Sequence, residues 1–132
     1  MRFVDANVFI YTLVKSPKEA YETCRRILRR IENGEEAVTN TAIIQEVADW
    51  LDYNNRKREV KSFMTAINSY LTMHKANTTW DEMLAALNDV EEHALDFVDA
   101  LTLQTMKKNK ITEIYSNDTD FDRVKWIKRI WE

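Results

Sequence analysis

Asp5 closes a short apolar run in Phe3-Val4-Asp5-Ala6-Asn7-Val8-Phe9-Ile10, and Asp118 and Asp120 stand far downstream in Ser116-Asn117-Asp118-Thr119-Asp120-Phe121. Strand alternation leads to a buried side chain at Asp5, where a carboxylate is costly unless a cation, another charge or hydrogen bonds compensate it. A parallel sheet that joined the two strand ends would hold these acids over one crevice, a candidate site for divalent metal ions. Each acid also has a plain structural role to set against this. Asp5 suits the cap of a helix starting after Asn7, and Asp118 suits a capped turn in which Phe121 plugs the core.

Two further acidic positions lie between them. Glu46 falls near the apolar stripe of a helical segment, with Ile43 three residues before and Trp50 four after; alone it reads as an ordinary helix glutamate. Asp96 and Asp99 share one helix face, where like charges repel unless a cation or the positive helix N-terminus intervenes. With 22 acidic residues in the chain, number proves nothing and position must carry the argument.

The elements that would position these residues alternate between strand and helix. Residues 2 to 5 read as a buried strand, followed by a helical start at Asn7 or Val8. Ser16-Pro17-Lys18-Glu19 carries a serine cap, a proline at the first helical position and a glutamate three after the cap; the stripe Ala20, Cys24, Ile27, Leu28, Ile31 follows and stops at Asn33-Gly34. Ala37-Val38-Thr39 is β-prone, and Asn40 or Thr41 caps a helix burying Ile44, Val47, Ala48 and Leu51. A helix over 57–69 and a strand over Tyr70-Leu71-Thr72-Met73 come next. Thr79-Trp80-Asp81-Glu82 is a second capping box. A helix from Asp96 to Lys108 precedes strands at Ile111–Ser116 and Ile127–Trp131. The pattern predicts a three-layer α/β/α sandwich around a mostly parallel sheet of 4–5 strands, with its site beyond the carboxyl ends of the strands.

Composition sets bounds. The chain has 132 residues, 45% of them hydrophobic, enough for one compact domain over 1–132. One Gly and one Pro exclude the glycine-rich phosphate loops of P-loop and dinucleotide-binding folds. The lone Cys24 cannot form an internal disulfide, no Cys/His spacing suits zinc, and no apolar run is long enough to span a membrane; a cytoplasmic protein is expected. His74 and His93 read as structural. A net charge of −3 does not advertise a nucleic-acid binder, although bound divalent cations would recover positive charge locally.

Taken together, Val4-Asp5-Ala6-Asn7-Val8, Ile44-Gln45-Glu46-Val47, Asp96-Phe97-Val98-Asp99-Ala100-Leu101 and Ser116-Asn117-Asp118-Thr119-Asp120-Phe121 resemble the four acidic motifs of PIN-domain ribonucleases. The likeness is to the small VapC-type toxins of toxin–antitoxin pairs and spans essentially the whole chain. It implies a metal-dependent endoribonuclease with Asp5, Glu46, Asp99 and Asp118 as its acidic core. Asp5, Asp99 and Asp118 would be metal ligands for one or two Mg²⁺ or Mn²⁺ ions, and Glu46 a ligand or water-orienting base. Asn7, Asp96, Ser116 and Asp120 would support them from behind. The chemistry agrees, because hard divalent cations prefer oxygen ligands and acidify water for attack on an RNA phosphodiester.

Carboxylates repel RNA, so phosphates need other partners. Lys107, Lys108, Lys110, Arg123 and Lys125 bracket the last two acidic motifs, and Arg25, Arg26, Arg29 and Arg30 line a helix back that equally suits a solvated face. The resemblance also implies a homodimer and a cognate antitoxin, for which the Tyr53–Phe63 region offers a surface. Two rivals differ in class. A haloacid-dehalogenase-like phosphohydrolase needs an acid where Asn7 stands, and a catalytically inactive PIN-like interaction module has no physical need to crowd carboxylates.

Overall fold

The computed structural model describes residues 1–132. Five strands, β1 (Arg2–Val4), β2 (Ala37–Asn40), β3 (Met73–Ala76), β4 (Glu113–Tyr115) and β5 (Lys128–Ile130), form one sheet in the order β3-β2-β1-β4-β5. Every neighbouring pair is parallel. Helices α1 (Ala6–Val14) and α2 (Lys18–Glu32) connect β1 to β2, and α3 (Thr41–Tyr53) and α4 (Lys57–Ser69) connect β2 to β3. Then α5 (Trp80–His93) and α6 (Phe97–Lys108) return the chain to β4, and a 3₁₀ turn, Thr119–Arg123, leads into β5. No helix is long and apolar enough to cross a membrane.

Successive strand residues point to opposite faces. Phe3 and Val4 of β1 are both fully buried, as are all four residues of β2, so the sheet is covered on both sides and the fold is a three-layer sandwich. The main core joins Phe3, Val38 and Ile114 of the sheet to Phe9, Ile27, Val47 and Phe63 of the helices, with Phe9 and Phe63 edge to face at 5.5 Å. A smaller contact sets Ala86 of α5 against Ala100 and Leu101 of α6.

Side-chain caps hold the helix starts that matter. Asn40 ends β2 and accepts from the Ile43 N–H at 2.9 Å, and Thr79 and Glu82 form the reciprocal capping box of α5. The start of α2 differs from expectation. Pro17 is itself the N-cap, in an extended conformation, and no side chain caps the helix, which begins one residue later than the serine-led pattern implies and leaves Ser16 outside. The third strand begins at Met73 and not at Tyr70, because the Tyr70 N–H still bonds the Ile67 carbonyl of α4. Strands β4 and β5 are also shorter than their apolar runs. Strand order reverses between β1 and β4, the switch point beyond which α/β sheets carry their crevice.

Candidate active site

Asp5 follows β1 directly and plays two parts. One carboxylate oxygen, Oδ1, accepts from the Ala6 N–H at 2.8 Å and caps α1; Oδ2 accepts from the Ser116 hydroxyl at 2.6 Å. The Ser116 Oγ in turn accepts from the Asp118 N–H at 3.0 Å. One hydroxyl therefore spans the switch point, placed there by the pairing of Val4 with Tyr115. A second tie crosses beside it, where the Asn7 amide donates to Asn117 Oδ1 at 2.9 Å.

From the other side come α3 and α6. Asp96 caps α6 by accepting from the Asp99 N–H at 2.8 Å, which sets Asp99 in the first turn, and Glu46 projects from α3. Asp5, Asn7, Glu46, Asp96, Asp99 and Asp118 line one cavity of about 190 Å³, walled on its apolar side by Ile10 and Trp50. Carboxylate oxygens of Asp99, Asp118 and Asp120 lie within 4.8 Å of one another. Asp120 is also held by Arg123 at 3.1 Å, whose guanidinium donates to the Ala94 carbonyl at 2.8 Å.

Electrostatics in this cavity are unfavourable to bare carboxylates. Burial, then the charges of Asp96, Asp5, Asp118 and Glu46, push Asp99 up to about 9. Burial, then the charges of Asp5, Asp96 and Asp118, push Glu46 up to about 7. Asp5 is raised by burial against the opposing pull of its hydrogen bonds from Ser116 and Ala6. Most telling, Asp99 Oδ2 is buried with no hydrogen-bond partner. An orphaned oxygen among crowded acids is what a cation compensates, and an all-oxygen donor set fits a hard divalent ion.

The basic residues are arranged otherwise. Lys107 pairs with Asp89 at 3.2 Å and Lys108 with Glu82 at 3.3 Å, eight and nine residues along α6 from Asp99, or about 12 Å at the helical rise. They are not brought to the cavity. Arg123 pairs with Asp120, Lys125 is exposed, and Arg30 bonds the Glu132 carbonyl and lies over the Tyr115 ring. Within the Tyr53–Phe63 region only Tyr53 is an exposed aromatic; Phe63 belongs to the core. The structure adds Trp50 to the cavity wall and Asn117 to the ties across the switch point. The placement of Trp50 four residues after Glu46 on one helix was the signal that it shares the cavity.

Residues 2–127 match the PIN domain family. The chain belongs to that family. This PIN domain is 26% identical over 139 residues to ribonuclease VapC13 of Mycobacterium tuberculosis, covering 98% of this chain and 99% of the relative. It shares its fold with VapC20 of the same species, a sarcin–ricin loop cleaving toxin, at a TM-score of 0.79 and 20% identity over 96% of this chain and 97% of that one. VapBC2 of Rickettsia felis, solved with a DNA fragment from its promoter, matches at a TM-score of 0.72 and 12% identity over 99% and 98%.

Proposed function

We propose that this PIN domain is a metal-dependent endoribonuclease, the toxin of a VapBC-type pair, with Mg²⁺ or Mn²⁺ as its cofactor and a cognate antitoxin as its partner. The observation that carries this reading is the buried, unpartnered Oδ2 of Asp99 beside Asp118 and Asp120. The homology to ribonuclease VapC13 supplies the RNA substrate. Asp5, Asp99 and Asp118 would hold the cation, and Asp120, whose carboxylate lies within 4.8 Å of those of Asp99 and Asp118, would assist directly or through water. Once bound, a divalent ion acidifies water and offsets the charge developing on a phosphodiester.

The chain's own groups do the rest. Ser116 fixes Asp5 and Asp118 relative to one another through a single oxygen. Glu46, which lines the cavity from α3, takes the proton of the attacking water on its carboxylate. Ile10 and Trp50 keep one wall of the cavity dry. A homodimer is the assembly expected of such a toxin, and the buried thiol of Cys24 suits a reducing cytoplasm.

The test is cleavage of a mixed cellular RNA pool by purified protein freed of any antitoxin, with Mg²⁺, Mn²⁺ or EDTA, beside an Asp5→Asn/Asp99→Asn double variant. Metal-dependent cuts at discrete positions, absent from the variant, are expected. Identical behaviour of the two folded proteins would sink the proposal.

A further inference from the structure

Glu46 borders two cavities. Beside the acidic one lies a larger cavity of about 430 Å³, and Glu46 lines both. Its volume falls within the roughly 300–1,000 Å³ of small-ligand pockets. Met83 of α5 and Phe97, Val98 and Leu101 of α6 form its apolar side; Gln45 and Asp49 of α3 stand on its polar side. Phe97 is 41% exposed although it sits between Asp96 and the buried Asp99, an uncovered aromatic face at the edge of the acidic cluster. Gln45 and Asp49 are both exposed and one helical turn apart, with Cβ atoms about 5–6 Å from each other.

We propose that this cavity receives the base of the nucleotide next to the scissile phosphate and selects guanine. The inference rests on the nuclease reading above. An RNA strand whose phosphate lies at the acidic cavity must put the adjoining base somewhere, and the neighbouring cavity shares a wall with the site. Phe97 supplies a face on which any base can stack. The edge then decides which base is kept, since single-stranded RNA is read on its Watson–Crick edge.

Guanine alone presents two adjacent donors there, N1–H and N2–H, which match the two oxygens of the Asp49 carboxylate as a bidentate pair. The Gln45 amide donates to O6 beside them. Adenine and cytosine would aim an acceptor nitrogen at Asp49, and uracil offers one N–H between two carbonyls. Each leaves the carboxylate facing a lone pair. A neutral base also tolerates the acidic wall, while its phosphate stays with the cation.

Two measurements test this. In the first, wild-type protein and a Gln45→Ala/Asp49→Ala variant cut a randomised RNA pool with Mg²⁺, and base frequencies are read among the cuts each protein makes. Wild type should favour guanine at one fixed position beside the cut, and the variant should lose roughly ten- to hundredfold of that preference. In the second, GMP, AMP, CMP and UMP are titrated into wild type, Asp49→Ala and Phe97→Ala, followed by amide chemical shifts. GMP should bind tightest and perturb residues of α3 and α6. Asp49→Ala should level the four nucleotides, and Phe97→Ala should weaken all four about tenfold. This arm reads the cavity even where no cleavage occurs, so failure of the nuclease reading and failure of the base pocket are separate outcomes. No preference for guanine in either arm overturns the proposal, as does a concentration-dependent dimer that buries Phe97 and excludes GMP.

Discussion

Asp99 is the residue on which the site turns. Its carboxyl is raised to about 9, so at pH 7 the metal-free protein carries it protonated, and an asparagine there mimics the state already present. Asp99→Asn should therefore leave the metal-free melting temperature at pH 7 nearly unchanged. It should abolish the rise in Tm that Mg²⁺ gives wild type and lower RNA cleavage by roughly a hundredfold or more. Calorimetric melts with and without Mg²⁺, beside a cleavage assay, check both halves. Ser116 should behave differently, because its hydroxyl serves Asp5 Oδ2 and the Asp118 N–H at once and is fully buried. Ser116→Ala leaves two polar groups unpaired, at a cost of about 1–3 kcal/mol in urea unfolding. It should weaken Mg²⁺ binding by roughly 10–100-fold, the scale of losing a group that orients metal ligands. A Ser116→Ala protein with wild-type Mg²⁺ affinity would show that Asp5 needs no such support.

At the scale of elements, the site joins the starts of α1 and α6, the second turn of α3 and the ends of β1 and β4. Asp5 and Asp96 cap α1 and α6 beside the cavity, whereas Asn40, the cap of α3, donates to Thr105 toward the far end of α6, and α3 reaches the cavity with Glu46 from its second turn. Capping and chemistry are not alternatives for Asp5 or Asp96; each uses one oxygen for its helix and still lines the cavity. The cap of α5 lacks that second duty. Thr79→Ala should cost about 1 kcal/mol of stability and leave the Mg²⁺ midpoint unchanged, measured by denaturation and metal titration of the same protein. These starts were legible because caps are local chemistry: a small polar residue followed at fixed spacing by an apolar stripe. The α2 start misled because the same letters, Ser-Pro-x-Glu, fit a capping box while the backbone makes Pro17 the cap. The basic residues are placed by packing and not by local pattern. Lys107 and Lys108 adjoin the acidic motifs in sequence, but a helix carries them about 12 Å away to Asp89 and Glu82.

For the whole molecule, the acidic cavity links stability to pH and to metal. Asp99 rises from an ordinary 3.8 to about 9 and Glu46 from 4.5 to about 7, so the metal-free folded state keeps protons that the unfolded chain releases. Below about pH 4 both states are protonated and nothing is lost. As pH climbs from about 4 the stability of the metal-free protein should fall, through Asp99 and Glu46 together up to about pH 7 and through Asp99 alone from there to about 9. A divalent cation replaces those protons, so the gain in Tm from Mg²⁺ should be larger at pH 8.5 than at pH 6, and binding should release protons into a weakly buffered solution. Melting curves across that range in EDTA and in Mg²⁺ decide it. A Tm in EDTA that rises with pH would contradict the shifts of both groups.

What the sequence by itself determined was the alternation of strands and helices, the absence of a glycine-rich phosphate loop, and the four acidic segments. All three are properties of residue type and spacing over a few turns. Only the tertiary structure decided that Asp5 and Asp118, more than a hundred residues apart, share the hydroxyl of Ser116. That follows from β1 and β4 lying side by side at the switch point, which no local pattern encodes. It likewise decided that Asp99 Oδ2 has no donor and that Phe97 is uncovered between two aspartates. Burial and partner geometry arise from packing between distant elements, whereas caps and stripes arise within one.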